Sequence, residues 1–287
     1  MSLELLIQTI INGLFIGFLL GLASMGLTLI FGVMDIFNIA AGEMMMLGAY
    51  SIFWLVTLYA LDPILGFPIV ILVGIALGAG VYFFLIRGIL GAPGIISLLT
   101  LFGLSSMMSN SMLLFWTPNI RGLPIFYPVI EFSNLAIAGN KLLASGFAIT
   151  TSLGLLVLIK KTRFGRALRA TVHNRKIATL MGVDVDKIYA YGFIIGITLT
   201  LFTGSLIALV YPFEPYSGFS YTLYAFCIVI LGTTGNPTGS LVAALIIGLA
   251  LSFTGSYWTQ GMSPAVAYII LVITFLVKPE GLFGKKR

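Results

Sequence analysis

The chain has 287 residues, of which 59% are apolar and 8% charged, with a formal net charge of +6 and a mean hydropathy of +1.11. That balance lies outside the range of water-surrounded domains, and the apolar runs are long enough to cross a hydrocarbon core of about 30 Å. Apolar and polar residues do not alternate with period two, which excludes a transmembrane β-barrel. One cysteine, Cys227, excludes an internal disulfide. The excess of positive charge fits membrane orientation better than nucleic acid as a partner.

The leading MSLELLIQTI carries Glu4 and no basic residue before its apolar run, so it predicts a retained helix over 5–34 rather than a cleaved signal. Further apolar spans follow near 38–61, 63–86, 95–116, 142–159, 188–210, 219–232, 239–258 and 264–277. The expected fold is all-α, one polytopic transmembrane helical bundle over 1–287 with about eight to ten spans and interrupted helices. Arg87, the 160–187 stretch and the terminal GKKR should face the cytoplasm. Nine crossings satisfy all three if the N-terminus lies outside, together with the 117–141 and 211–218 connectors. Gly13, Gly17 and Gly21, Gly74 and Gly78, and Gly192 and Gly196 recur every four residues, a spacing that lets helices approach closely in lipid.

Two stretches break the apolar pattern. In FGVMDIFNIAAGEMMMLGAY (31–50), Asp35, Asn38, Gly42 and Glu43 fall close together. Either a helix starts at Asn38, which caps it while Glu43 favours its positive end, or a broken helix lines a polar path. In ILGTTGNPTGSLVAALIIGL (230–249), Gly232, Gly235, Asn236, Pro237 and Gly239 cannot lie within an unbroken helix. This is a turn between spans or the second of two paired helix breaks near a substrate region. The two stretches hold corresponding positions in the two halves, a hint of an inverted repeat.

Lys160, Lys161, Arg163, Arg166, Arg169, Arg175, Lys176 and Lys187 gather in one connector. Such charge fixes the loop inside and touches anionic headgroups. Within it, Asn174 can cap a short helix whose Ile177, Leu180 and Met181 form an apolar face, and Gly182 can end it. A helix of this kind lies on lipid or docks in a partner's groove. No GxxxxGK[ST] loop, HExxH or metal-ligand Cys/His spacing occurs, so neither catalysis nor a metal is expected. An ion-coupled transporter or channel, with the loop merely topological, stays open at this point.

RALRATVHNRKIATLMGV followed by DVDKIYAYGFIIG resembles the cytoplasmic coupling loop of ABC importer permeases of the branched-chain amino-acid (LIV) class, with Ala178 and Gly182 at the A-x-x-x-G spacing. GLTLIFGVMDIFNIAAGEMMMLGAY resembles that family's N-x-A-H-G-E segment through Asn38, Ala40, Gly42 and Glu43, and GTTGNPTG at 232–239 its late glycine-rich turn. The resemblance implies an inner-membrane subunit paired with a second permease, two ATPases that use the ATP, and an extracytoplasmic substrate-binding protein. It implies ATPase contact through the 160–187 loop, with Arg169, Arg175, Ile177, Ala178, Leu180, Met181 and Gly182. It also implies a substrate path near Asn38, Gly42 and Glu43. Ala41 stands where the family commonly has histidine, Thr233 and Asn236 replace a frequent glycine and serine, and the loop lacks the EAA glutamate. The cargo is therefore left open among branched-chain and other amino acids, urea and short amides.

Overall fold

The structure is a computed structural model that describes residues 3–125, 127–132, 135–278 and 281–284. The lysines and arginine of the expected basic terminus GKKR, and the first two residues of the leading segment, lie outside the described residues.

Seven helices are long and apolar enough to cross a membrane: α1 (Glu4–Met34), α2 (Ala41–Tyr59), α3 (Pro63–Ile89), α4 (Gly94–Trp116), α5 (Gly139–Lys161), α8 (Val185–Val210) and α10 (Pro237–Tyr257). Between α5 and α8 lie two short helices, α6 (Arg163–His173) and α7 (Arg175–Leu180). Two further apolar helices, α9 (Ser217–Leu231) and α11 (Ser263–Val277), have 15 residues each. At 1.5 Å per residue they reach about 22 Å, less than the hydrocarbon thickness. Every expected span thus coincides with a helix. The connector between α4 and α5 adds a two-stranded antiparallel hairpin, β1 (Ile130–Phe132) with β2 (Leu135–Ile137), too small to form a layer.

The helix starts follow from side-chain chemistry. Asp62 accepts from the Ile64 amide at 2.9 Å with Pro63 opening α3, and Thr162 accepts from the Gly165 amide at 3.0 Å to open α6. Asp184 accepts from the Lys187 amide at 3.2 Å to open α8. Each side chain satisfies one of the amides that a helix leaves unpaired at its start.

α8 lies at the centre against α1, α2 and α3, and α1 runs antiparallel along α10. Small residues permit these approaches. A Cβ on Gly13 or Gly17 would lie 2.9 Å from the Cα of Leu249 or Leu245 in α10. Gly74 and Gly78 meet Thr198 and Ile194 of α8 in the same manner, at 3.0 and 3.1 Å. Gly196 faces α1, but Gly192 does not share its role, because its nearest neighbour is the flexible Val33 side chain at 3.8 Å. Along the outer sides of α3, α4 and α11, Leu72, Phe84, Leu99 and Leu276 stay exposed, as expected of surface that meets lipid tails.

The two ends of the bundle are tied differently. At one end, Ser252 donates to the Thr9 carbonyl at 2.7 Å, and Arg121 and Phe213 exchange backbone hydrogen bonds at 2.9 Å. Tyr127 donates to Asp62 there at 3.3 Å. Burial and the adjacent Asp62 carboxylate both push the Tyr127 hydroxyl pKa up. At the opposite end, the last turn of α1 meets the 232–236 turn, and the Leu282 amide reaches back to the Leu231 carbonyl at 2.8 Å.

Candidate functional site

α1 ends at Met34, and Asp35 takes a left-handed φ of 55°, so the chain leaves the helix axis and runs without regular structure to Ala40. Of the two readings of this stretch, the helix start at Asn38 does not hold. α2 begins at Ala41, and its cap residue, Ala40, makes no side-chain cap bond. Asn38 is fully buried and donates to the Met44 sulfur at 3.9 Å, while its Oδ1 has no partner. Glu43 does sit in the first turn of α2, where the helix dipole favours an anion. It is buried with Ser105 of α4 beside it, and its Oε2 is unpaired.

Gly42 is needed for a steric reason. Its amide donates to Thr222 Oγ1 at 2.8 Å, and the Thr222 hydroxyl donates to the Ile39 carbonyl at 3.2 Å. A Cβ on Gly42 would run into the Gly218 carbonyl of α9. The break is therefore clamped onto α9 by one hydroxyl and two glycines.

The second expected break is a helix start. Asn236 caps α10 by accepting from the Gly239 amide at 3.1 Å, and Pro237 occupies the first helical position, where a missing amide costs least. Gly235 has a φ of +78°, and a Cβ on Gly32 of α1 would lie 2.6 Å from its Cα. Gly232 and Gly239 fold against each other across this turn. Both breaks thus flank α9, one against its first turns and one after its last.

The basic stretch contains more helix than its sequence pattern suggested. α6 is an amphipathic helix whose Gly165, Leu168 and Thr171 are buried. α7 is the expected short helix: Asn174 accepts from the Ile177 amide at 3.0 Å, and Gly182 follows it with a φ of +80°. Ala178 is 2% exposed and anchors α7, whereas Ile177, Leu180 and Met181 are 58%, 85% and 79% exposed. The two groups of residues therefore separate cleanly by face. Arg175 lies over the Tyr189 ring at 5.1 Å. Arg169 is exposed on α6, and its guanidinium donates to the Ile159 carbonyl at the α5–α6 corner. The α8 end of the stretch is fixed by Asp184, whose carboxyl Lys187 holds below the ordinary range through a 2.9 Å ion pair.

Around this end of α1 lie two open cavities. One of about 650 Å³ is bordered by Asp35, Ser97, His173, Asn174, Arg175 and Tyr189. Another of about 460 Å³ lies between Gly32, Arg169, His173 and the Gly235–Pro237 turn. The basic stretch and the glycine turn therefore meet at one place. Asn38 and Glu43 line neither cavity. Sequence pattern had not revealed Tyr82 as a tie: within a π-helical turn of α3, its hydroxyl donates to the Asp186 carbonyl at 3.2 Å. Among the described residues no cluster of histidine, cysteine and carboxylate side chains could hold a metal ion.

Residues 9–277 match the family described as the permease component of branched-chain amino acid transport systems. The chain belongs to that family. It is 27% identical over 294 residues to the high-affinity branched-chain amino acid transport system permease protein LivH of Escherichia coli, covering 97% of this chain and 96% of that one. Its identity to the corresponding permease BraD of Pseudomonas aeruginosa is 26% over the same shares. A probable branched-chain amino acid permease of Methanocaldococcus jannaschii is 25% identical, covering 93% and 89%. Among solved structures, PsaBC from Streptococcus pneumoniae in complex with Fab matches with a TM-score of 0.53 at 14% identity, covering 95% of this chain and 92% of that one. That likeness supports the fold alone.

Proposed function

We propose that this chain is one of two membrane subunits of an ATP-driven amino-acid importer with two separate ATPases, and that α7 is where an ATPase engages it. The observation that carries this is the uncovered face of Ile177, Leu180 and Met181, on a helix whose opposite side is locked by Ala178. In a membrane-embedded permease with no phosphate-binding loop, such a face at a basic bundle end fits the groove of a nucleotide-hydrolysing partner. The basic stretch faces the cytoplasm, and the end bearing Arg121 and Phe213 receives cargo from an extracytoplasmic binding protein. A second, related permease completes the path.

Alternating access then has a physical route. Movement of α7 reaches α6, α1 and α8, and the end of α1 leads through residues 35–40 into the clamped start of α2. Asn38 and Glu43 border the substrate path on this reading, each with an oxygen that no protein group satisfies. Gly42 allows the close approach to α9 that holds them there. The test is purification of the tagged chain from its host beside a Leu180→Glu, Met181→Glu variant. The wild type brings down the ATPases and a second permease, whereas the variant retains the permease and loses the ATPases. Retention of the ATPases by the variant rejects the docking role. Glu43→Gln is expected to slow uptake without loosening the bundle, and uptake at the wild-type rate removes Glu43 from the path.

A further inference from the structure

Tyr50 and Trp54 lie four residues apart on α2 and so share a face. Tyr50 is fully buried, stacked on Trp116 at 4.3 Å and edge-on to Phe213 at 5.0 Å. The Arg121 guanidinium lies over the rings of Phe53 and Trp54 at 5.3 and 5.1 Å, and its Nη2 donates to the Trp116 carbonyl at 2.8 Å. Within this aromatic box the Tyr50 hydroxyl, Trp54 Nε1 and Arg121 Nε are all shut off from solvent and without a partner.

Buried polar groups without partners are costly, and three in one place call for an explanation. The chemistry of the three narrows it. Trp Nε1 and Arg Nε can only donate, and a tyrosine hydroxyl donates readily. What completes them is an acceptor, and beside a guanidinium the favoured acceptor is an anion. Among the described residues the only ion pair is Lys187 with Asp184, so Arg121 brings an unneutralised charge to the box. Glu214 directly follows Phe213, whose ring meets Tyr50 and whose backbone pairs with Arg121, so residues of both charge signs stand beside the box.

We propose that Tyr50, Trp54 and Arg121 receive the carboxylate of a free amino acid in transit while Glu214 receives its ammonium group. This rests on the amino-acid importer reading above. A simple anion would leave Glu214 uncompensated, and an acidic side chain of a docking protein would be repelled by it. Burial of the donors also favours a small cargo over a protein surface, since docking needs groups already accessible. Entry requires the segment around Arg121 to part from α2, and its Arg121–Phe213 backbone pair ties that movement to the 211–216 turn. That turn leads into α9, whose Gly218 seats Gly42. Cargo at this contact is thus linked mechanically to the broken start of α2.

The experiment uses the complete transporter in liposomes with saturating loaded binding protein and radiolabelled leucine, alanine and glutamine. Tyr50→Phe removes one O–H and keeps the phenyl ring, Trp54→Phe removes the N–H together with part of the indole, and Glu214→Gln removes one charge. Each lost bond to a charged group should lower maximal uptake about tenfold. Tyr50→Phe should assemble and melt at or above the wild-type temperature, because it replaces an orphaned donor by an apolar atom, whereas Trp54→Phe should assemble with a lower midpoint, because the smaller ring leaves space and loses its contact with Arg121. If Tyr50→Phe does not assemble, Trp54→Phe decides the matter alone. Uptake at the wild-type rate in Trp54→Phe and Glu214→Gln overturns this contact and leaves the importer reading intact. A wild-type transporter that moves none of the amino acids overturns both.

Discussion

The 35–50 break and the 160–187 stretch are both polar interruptions in an apolar chain, yet they are built in opposite ways. In the first, Asn38 and Glu43 are buried, and a Thr222 hydroxyl and paired glycines clamp the backbone onto α9. In the second, apolar side chains are left in the open on a helix held by its one buried alanine. Polar groups inside and apolar groups outside both cost free energy. On the proposed function, cargo completes the first and a protein partner the second.

The comparison breaks most readily at Gly42. Gly42→Ala should abolish the folded bundle, since its Cβ collides with the Gly218 backbone and α9 cannot move without disturbing α10. Loss of the chain from the membrane fraction, or of its detergent-stable monomer, checks this. At the second region, Leu180→Glu with Met181→Glu should leave thermal stability unchanged while removing partner binding. A drop in melting temperature of the isolated chain would mean that these side chains pack within it.

Smaller effects sharpen the contrast. Asn236→Ala removes the cap of α10 and should cost about 1 kcal/mol, read as a lower thermal midpoint. Gly192→Ala should be close to neutral, whereas Gly196→Ala should not, because its Cβ would lie 2.8 Å from the Gly26 carbonyl. Comparing the two variants' melting curves separates a true close contact from mere four-residue spacing. The smallest effect concerns acid. Lys187 depresses the Asp184 carboxyl pKa, so the cap is fully present at neutral pH and is lost only as pH falls through that depressed value. Hydrogen exchange at the Lys187 amide should stay slow until well below about pH 3.9, the ordinary aspartate value.

The helices were legible because twenty-residue apolar runs leave a transmembrane segment few alternatives, and every expected span falls on a helix. The caps at Asn174 and Asn236 could be read from local chemistry alone. Residues 35–40 were legible only as one of two readings, a helix start or a broken helix, because nothing in Asn38 itself decides between them. That outcome is decided by Thr222 and Gly218, some 180 residues away. Arg169 shows the same limit: its bond to the Ile159 carbonyl at the end of α5 has no signal in the local sequence. The aromatic box around Arg121 draws on α2, the α4–α5 connector and the 211–216 turn, so no local window contains it.

The docking role of α7 is tested most directly by chemical capture. Cys227 is the sole cysteine and is buried, so Leu180→Cys places one accessible thiol on the exposed face. A short thiol-to-amine cross-linker applied to native membranes should join this position to an ATP-binding partner. Leu72→Cys, also exposed but on the lipid-facing side of α3, should capture none. Full ATP-driven uptake by Leu180→Cys with no such adduct would contradict the account.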